Sequence, residues 1–386
     1  MLYQVSPDNL RVDALIGQER PAIEADINKP ADIVRLRESW ATAEAIPVLL
    51  MNRDEGIVRD WGRLDVRTLL YGEQSSGRFS VHSILLAPGT ELPTHYLVDS
   101  HSYVVLTEGE AVLTIGDRSQ AVGEYAMGYA PPRTRLGFRN ESQAPATIIL
   151  IQSPAGTERA FAEAHRLWKA TGQADFASYA AIFERHGMCF DDTALPRDVL
   201  VNKDPEPLDF VIGKDGDIAA LREAFERREP LPRLVSMPRD NLSTKATGQN
   251  VRKQVMSGDF SAGHAMLTML GFTPGFGAAP HHQPTEEEFF FIFEGLLEMT
   301  CATETRMLAP GGFAFCPRNC THGFRNRQEA EDTYFMTLNS PAGHERAMAV
   351  LREMIRNGAN EQQIHDVAVL GGFMLHEPTL PVNEKT

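Results

Sequence analysis

The sequence predicts a mainly β protein made of two tandem copies of one fold, each a sandwich or small barrel with flanking helices. Three observations predict it. Residues 88–109 (PGTELPTHYLVDSHSYVVLTEG) and 274–295 (PGFGAAPHHQPTEEEFFFIFEG) align without a gap, so the chain repeats itself. Short runs rich in Val, Ile, Phe and Thr recur at intervals of roughly ten residues between Gly, Pro and Asn, the pattern of many short strands. Helical spacing of apolar residues opens and closes the copies, as in residues 218–225 (IAALREAF) and 345–357 (ERAMAVLREMIRN).

The repeat runs well beyond the first match. Residues 33–40 (IVRLRESW) correspond to 218–225, so a helix is expected in both. Gly137–Asn140 (GFRN) returns at Gly323–Asn326. Ser153-Pro154-Ala155-Gly156-x-Glu158-Arg159 returns as Ser340-Pro341-Ala342-Gly343-x-Glu345-Arg346. A slowly drifting offset with small insertions is what domain duplication leaves. The boundary is expected near residues 195–205, a stretch of prolines and charges, giving one domain over 1–197 and a second over 198–386. Within each copy, segments such as YVVLTEGEAVLTIG and FFFIFEGLLEMTC read as strand–turn–strand.

Composition bounds the function. A chain of 386 residues is long enough for two domains with their own cores. Its net charge of −15 argues against nucleic acid or an anionic membrane as partner, since both need clustered Lys and Arg. The start lacks a secretory signal pattern, and no apolar run approaches the ~20 residues of a membrane span. Cys189, Cys301, Cys316 and Cys320 are too few for a disulfide framework. They are expected to be structural thiols, with no zinc clip at Cys316 and Cys320, because no second Cys/His pair has the spacing. A cytoplasmic location is the default expectation, with a small molecule as partner and a homo-oligomer allowed.

The second copy carries two spaced sets of polar residues. The first is Pro274-Gly275-x5-His281-x-Gln283-x4-Glu288-x6-Gly295. The second is Gly311-x5-Pro317-x-Asn319-x2-His322-x3-Asn326. Here the chain resembles the cupin superfamily, whose two motifs have this spacing with a second His at Gln283 and a Gly at Asn319. The duplication makes it similar to a bicupin. The resemblance implies two tandem jelly-roll barrels, with His281, Gln283, Glu288 and His322 pointing into the second barrel as ligands of one divalent metal.

Strand geometry agrees with that implication. Alternate residues share a face, so His281 and Gln283 point one way and His282 the other. Two imidazoles, a carboxylate and an amide suit a mid-row divalent ion, iron first, with manganese, nickel and zinc also in range. Gln283 is either a ligand or a hydrogen-bond donor behind a three-ligand site, and His282 could rotate inward in its place. In the first copy Leu97, Ser102 and Leu136 replace Gln283, Glu288 and His322, and only His95 survives. His82 and His101 stand at no ligand position, so no metal is expected there.

Other features are read as packing. The outer members of the run Glu286-Glu287-Glu288 are expected to be solvated. Phe289, Phe291 and Phe293 share a strand face, as plain core or as an aromatic wall for an apolar ligand. The resemblance is greatest to the quercetin-dioxygenase-like bicupins, through Pro274-Gly275, Glu288 and the Ser-Pro-Ala-Gly-x-Glu-Arg tails. It implies a metal-dependent dioxygenase that activates an enolisable or phenolic small molecule for oxidative C–C cleavage, with Glu288 as ligand or general base. The alternatives are a non-redox isomerase, lyase or hydrolase acting on a small carbonyl compound, or a small-molecule binding protein without catalysis.

Overall fold

A computed structural model describes residues 49–60 and 64–375, apart from short gaps at 73, 173–175, 238 and 303 and parts of 191–198 and 243–249, together with three strands before residue 26. The expected helix at 33–40 lies outside the described residues. The three early strands, Gln4–Val5, Leu10–Ala14 and Arg20–Ala25, form a sheet of their own.

Each copy folds as a jelly-roll of two antiparallel sheets facing one another. In the first copy the large sheet has, at its centre, His101–Glu108, Ala146–Ser153 and Ser80–Leu86 side by side. The small sheet has Ala111–Ile115, Leu136–Arg139 and Glu91–Leu97. The second copy repeats the order with Glu287–Glu294, Thr333–Ser340 and Met266–Phe272 in the large sheet. Its small sheet has Leu297–Cys301, His322–Arg325 and Gly277–His282. Alternation along the strands sorts the side chains into separate cores. In the second copy Phe290, Ile292, Leu270 and Phe272 fill the barrel interior. Phe289, Phe291 and Phe293 point out of the barrel and pack with Phe79, Tyr103 and Val105 of the first copy. These three phenylalanines therefore join the copies, and none forms a wall of the second barrel's pocket.

The large sheets thus pack back to back, and the copies also exchange strands. Leu49–Met51 adds to the second copy's large sheet, pairing Met51 with Phe313 and Leu49 with Phe315. Arg233–Val235 adds to the first copy's large sheet, pairing Val235 with Met127 and Arg233 with Tyr129. Met127 and Phe313 are repeat equivalents, so the exchange is reciprocal.

The repeated Ser-Pro-Ala-Gly-x-Glu-Arg turn has one structural job in both copies. The Ser153–Pro154 and Ser340–Pro341 bonds are cis. Gly156 and Gly343 follow at φ 153° and 125°, a region that L side chains avoid, and a helix starts there. The buried Glu345 accepts the Gly258 amide at 2.7 Å through Oε1 and the Gly343 amide at 2.9 Å through Oε2. Glu158 does the same for Gly72 at 3.2 Å and Gly156 at 2.8 Å. The helix Ile218–Phe225 forms as its spacing predicts. Asp217 caps the amides of Ala219 and Ala220, and Leu221 and Phe225 pack with Ala347 and Leu351. No helix among the described residues is long and apolar enough to cross a membrane.

Candidate metal centre

His281 is the last residue but one of a small-sheet strand, and His322 begins its neighbour, where the two residues pair in register. Glu288 comes from the large sheet opposite, between Cys316 and Asn339. The ligand atoms of His281, Glu288 and His322 all lie within 4.8 Å of one another, and all three residues are buried. Among the described residues no other group of three His, Cys, Asp or Glu side chains comes together in this way.

The imidazoles are oriented from behind. His281 Nδ1 lies 2.8 Å from the Ala279 carbonyl, and His322 Nδ1 lies 3.0 Å from the Cys320 carbonyl. A carbonyl only accepts, so each Nδ1 carries a hydrogen, which leaves Nε2 of each ring as the atom available to the site. His322 Nε2 stands 3.1 Å from Glu288 Oε2. A nitrogen and a carboxylate oxygen at that distance are bridged by a proton or by a cation. Gln283 donates Nε2 to the same Glu288 oxygen at 3.0 Å.

Burial alone would raise the Glu288 carboxyl. The hydrogen bond with His322 and electrostatic attraction to the histidines around it bring it down to about 2 instead. Burial, reinforced by His322, lowers His281 to about 3, so its imidazole stays neutral and ready to donate a lone pair. These states are the ones a divalent ion requires of its ligands, and the donor set fits such an ion. His281, Glu288 and His322 offer ligand atoms directly, while Gln283, in the conformation observed, reaches Glu288. His282 pairs with Met374 and does not enter the cluster.

Asn319, which stands where the motif has glycine, adopts φ 60°, and Arg133 at the equivalent place in the first copy does the same. Asparagine tolerates this left-handed conformation better than most residues. The turn holds because the Asn319 amide donates to the Gln283 carbonyl at 3.0 Å.

The outer glutamates are buried, contrary to the expectation of solvation. Glu287 meets Arg78 of the first copy at 2.5 Å and Arg318 at 3.0 Å. Glu286 lies 3.4 Å from Arg222 and 3.8 Å from His344. Charges distant in sequence therefore replace solvent. His344, whose ring lies 4.3 Å from Phe373, is a neighbour of the centre that the motif spacing misses. The signal available was the difference between the tails, which have Thr157 in one copy and His344 in the other.

In the first copy His95 pairs with Leu136, and Ser102 stands in the place of Glu288. The cysteines of the second barrel are free, with Cys301 Sγ 3.0 Å from Cys316 Sγ.

Residues 268–338 match the family model described as "Cupin domain", and this span includes His281, Gln283, Glu288 and His322. No curated protein matches the sequence. Solved structures similar to the chain include an oxalate decarboxylase from Lactobacillus farciminis (13% identity, TM-score 0.49, 86% of this chain and 98% of that one). Procruciferin, an 11S globulin from Brassica napus, is also similar (8% identity, TM-score 0.49, 84% and 95%). So is the Escherichia coli protein Ylba (12% identity, TM-score 0.47, 79% and 96%). At such identities the chemistry of the second barrel has to be argued from its own residues.

Proposed function

We propose that the chain is a metal-dependent dioxygenase acting on an enolisable or phenolic small molecule in its second barrel, residues 198–386. The observation that carries this reading is the convergence of His281, Glu288 and His322 with both imidazole Nε2 atoms turned inward. Two imidazoles and one carboxylate would hold a divalent ion, iron first, and leave positions on it open. When bound, such an ion supplies Lewis acidity toward a substrate oxygen and, if iron, access to oxygen chemistry.

The rest follows from the chain. The interior beside the histidines is walled by Phe272, Phe290, Phe324 and Phe335, with Phe290 edge-on to His322 at 6.0 Å. Those rings pack on one another and exclude water from that side of the centre, which strengthens every charge interaction there. Glu288, held ionised, is suited to ligation and has little driving force as a general base. Gln283 steadies that carboxylate through its hydrogen bond.

Oxygen uptake by iron-loaded protein, offered catechols, flavonols and β-diketones in turn, tests the proposal. Consumption that depends on one substrate class and disappears in His322→Ala supports it. No consumption with any of them, in protein shown to hold iron, rejects it.

A further inference from the structure

The repeat relation pairs Arg78 with His264 and His101 with Glu287. All four residues line one cleft of about 460 Å³ between the two copies, within the size range of small-molecule sites. Equivalent positions there have diverged into opposite chemistries. On one side Arg78 and Arg318 share the single Glu287 carboxylate, at 2.5 and 3.0 Å. Arg318 breaks the repeat, since the first copy has Pro132 in its place. Two guanidinium groups against one carboxylate leave a positive charge, and Arg78 Nη2 has no hydrogen-bond partner.

On the other side His101 and His264 stack at 3.8 Å with their planes 14° apart. Tyr129 OH meets His101 Nδ1 at 2.8 Å, and Tyr103 OH meets His264 Nδ1 at 2.6 Å. Burial keeps both rings neutral, lowering His101 to about 4 and holding His264 well below its ordinary range. Phe79, Pro230 and Pro341 complete apolar walls. Glu226, also on the lining, is exposed, so solvent weakens its charge without removing it.

We propose that this interdomain cleft is a ligand site separate from the metal centre, taking a small carboxylate with a flat apolar body. The carboxylate answers the surplus guanidinium charge, which favours planar, bidentate oxyanions. The body lies against Phe79 and the prolines.

Calorimetric titration of the full chain with benzoate tests this, with benzamide as the uncharged control of the same shape. Benzoate is expected to bind at one site per chain, and benzamide at least about tenfold more weakly, because the charge-assisted contacts are lost. Arg318→Gln should weaken benzoate by about tenfold, whereas His322→Ala should leave it unchanged. Glu226→Gln, an exposed change that spares the fold, should tighten benzoate about threefold by removing a like charge. The proposal is overturned if benzoate does not bind or binds no better than benzamide. It also fails if folded Arg318→Gln binds normally, if Glu226→Gln gives no tightening, or if His322→Ala abolishes binding. The last result would place benzoate in the barrel and leave the dioxygenase reading standing.

Discussion

His95 and His281 hold the same posture in the two barrels, each with Nδ1 2.8 Å from the carbonyl two residues before it. What differs is the partner across the sheet, Leu136 for His95 and His322 for His281. An oriented imidazole is thus common to both copies, and a set of converging ligands belongs to one.

Metal content should follow that difference. Protein stripped with chelator, reloaded with Fe(II) and measured by mass spectrometry is expected to hold about one ion per chain. His322→Ala should lower this at least tenfold, since losing a supporting residue alone costs ~10–100-fold in affinity. Gln283→Ala should fall between, and His95→Ala should match the parent. Equal losses from His95→Ala and His322→Ala would refute a single centre.

Acid should destabilise the metal-free protein through its first barrel. Burial lowers His95 to about 4 and His82 to about 3, from an ordinary 6.5. Their folded values lie below the unfolded one, so the stability they contribute is full above pH 6.5. It is lost as pH falls toward 4 and then 3, because the unfolded chain takes up the protons. For His95 the loss is on the order of 3 kcal/mol. Urea unfolding at pH 7, 6 and 5 should show falling midpoints, and His95→Leu should flatten that slope. A midpoint independent of pH over this range would contradict the burial argument.

The turn carboxylates should be worth more than surface charges. Glu345→Ala strips the acceptor from two backbone amides, those of Gly258 and Gly343. The cost is expected at about 2–4 kcal/mol, read as a lower urea midpoint, because hydrogen bonds to charged groups contribute ~1.5–3 kcal/mol each. Glu345→Gln, which keeps an acceptor, should recover part of it. A loss below about 0.5 kcal/mol would mean that the amides find other partners.

Thiol reactivity should divide one against three. Cys301, Cys316 and Cys320 are buried, and the Cys316 thiol is pushed up to about 11 by burial. Cys189 is part-exposed. A native-state titration with a colorimetric disulfide reagent should therefore count one fast thiol, and denaturant should release the other three. Rapid reaction of more than one thiol would show that the second barrel opens readily.

Much of this site was legible in the sequence because strand spacing is rigid. A period of two puts His281 and Gln283 on one face, and the fixed gaps to Glu288 and His322 define the motif. The fold class followed from the same regularity. What was not legible depends on pairing at long range. Glu287 reads as a solvated member of an acidic run until Arg78, more than 200 positions earlier, is found beside it. Phe289, Phe291 and Phe293 are plainly one strand face, but only the back-to-back packing of the large sheets decides which side that face covers. Nothing local marks Leu49–Met51 or Arg233–Val235 as strands belonging to the other copy's sheet.

That crossing of edge strands carries a consequence for anyone dissecting the protein. A cut between residues 197 and 198 would give two fragments, each deprived of a border strand and each baring the apolar back of its large sheet. Such fragments would seek replacement partners in one another or in copies of themselves, so the chain is best handled whole.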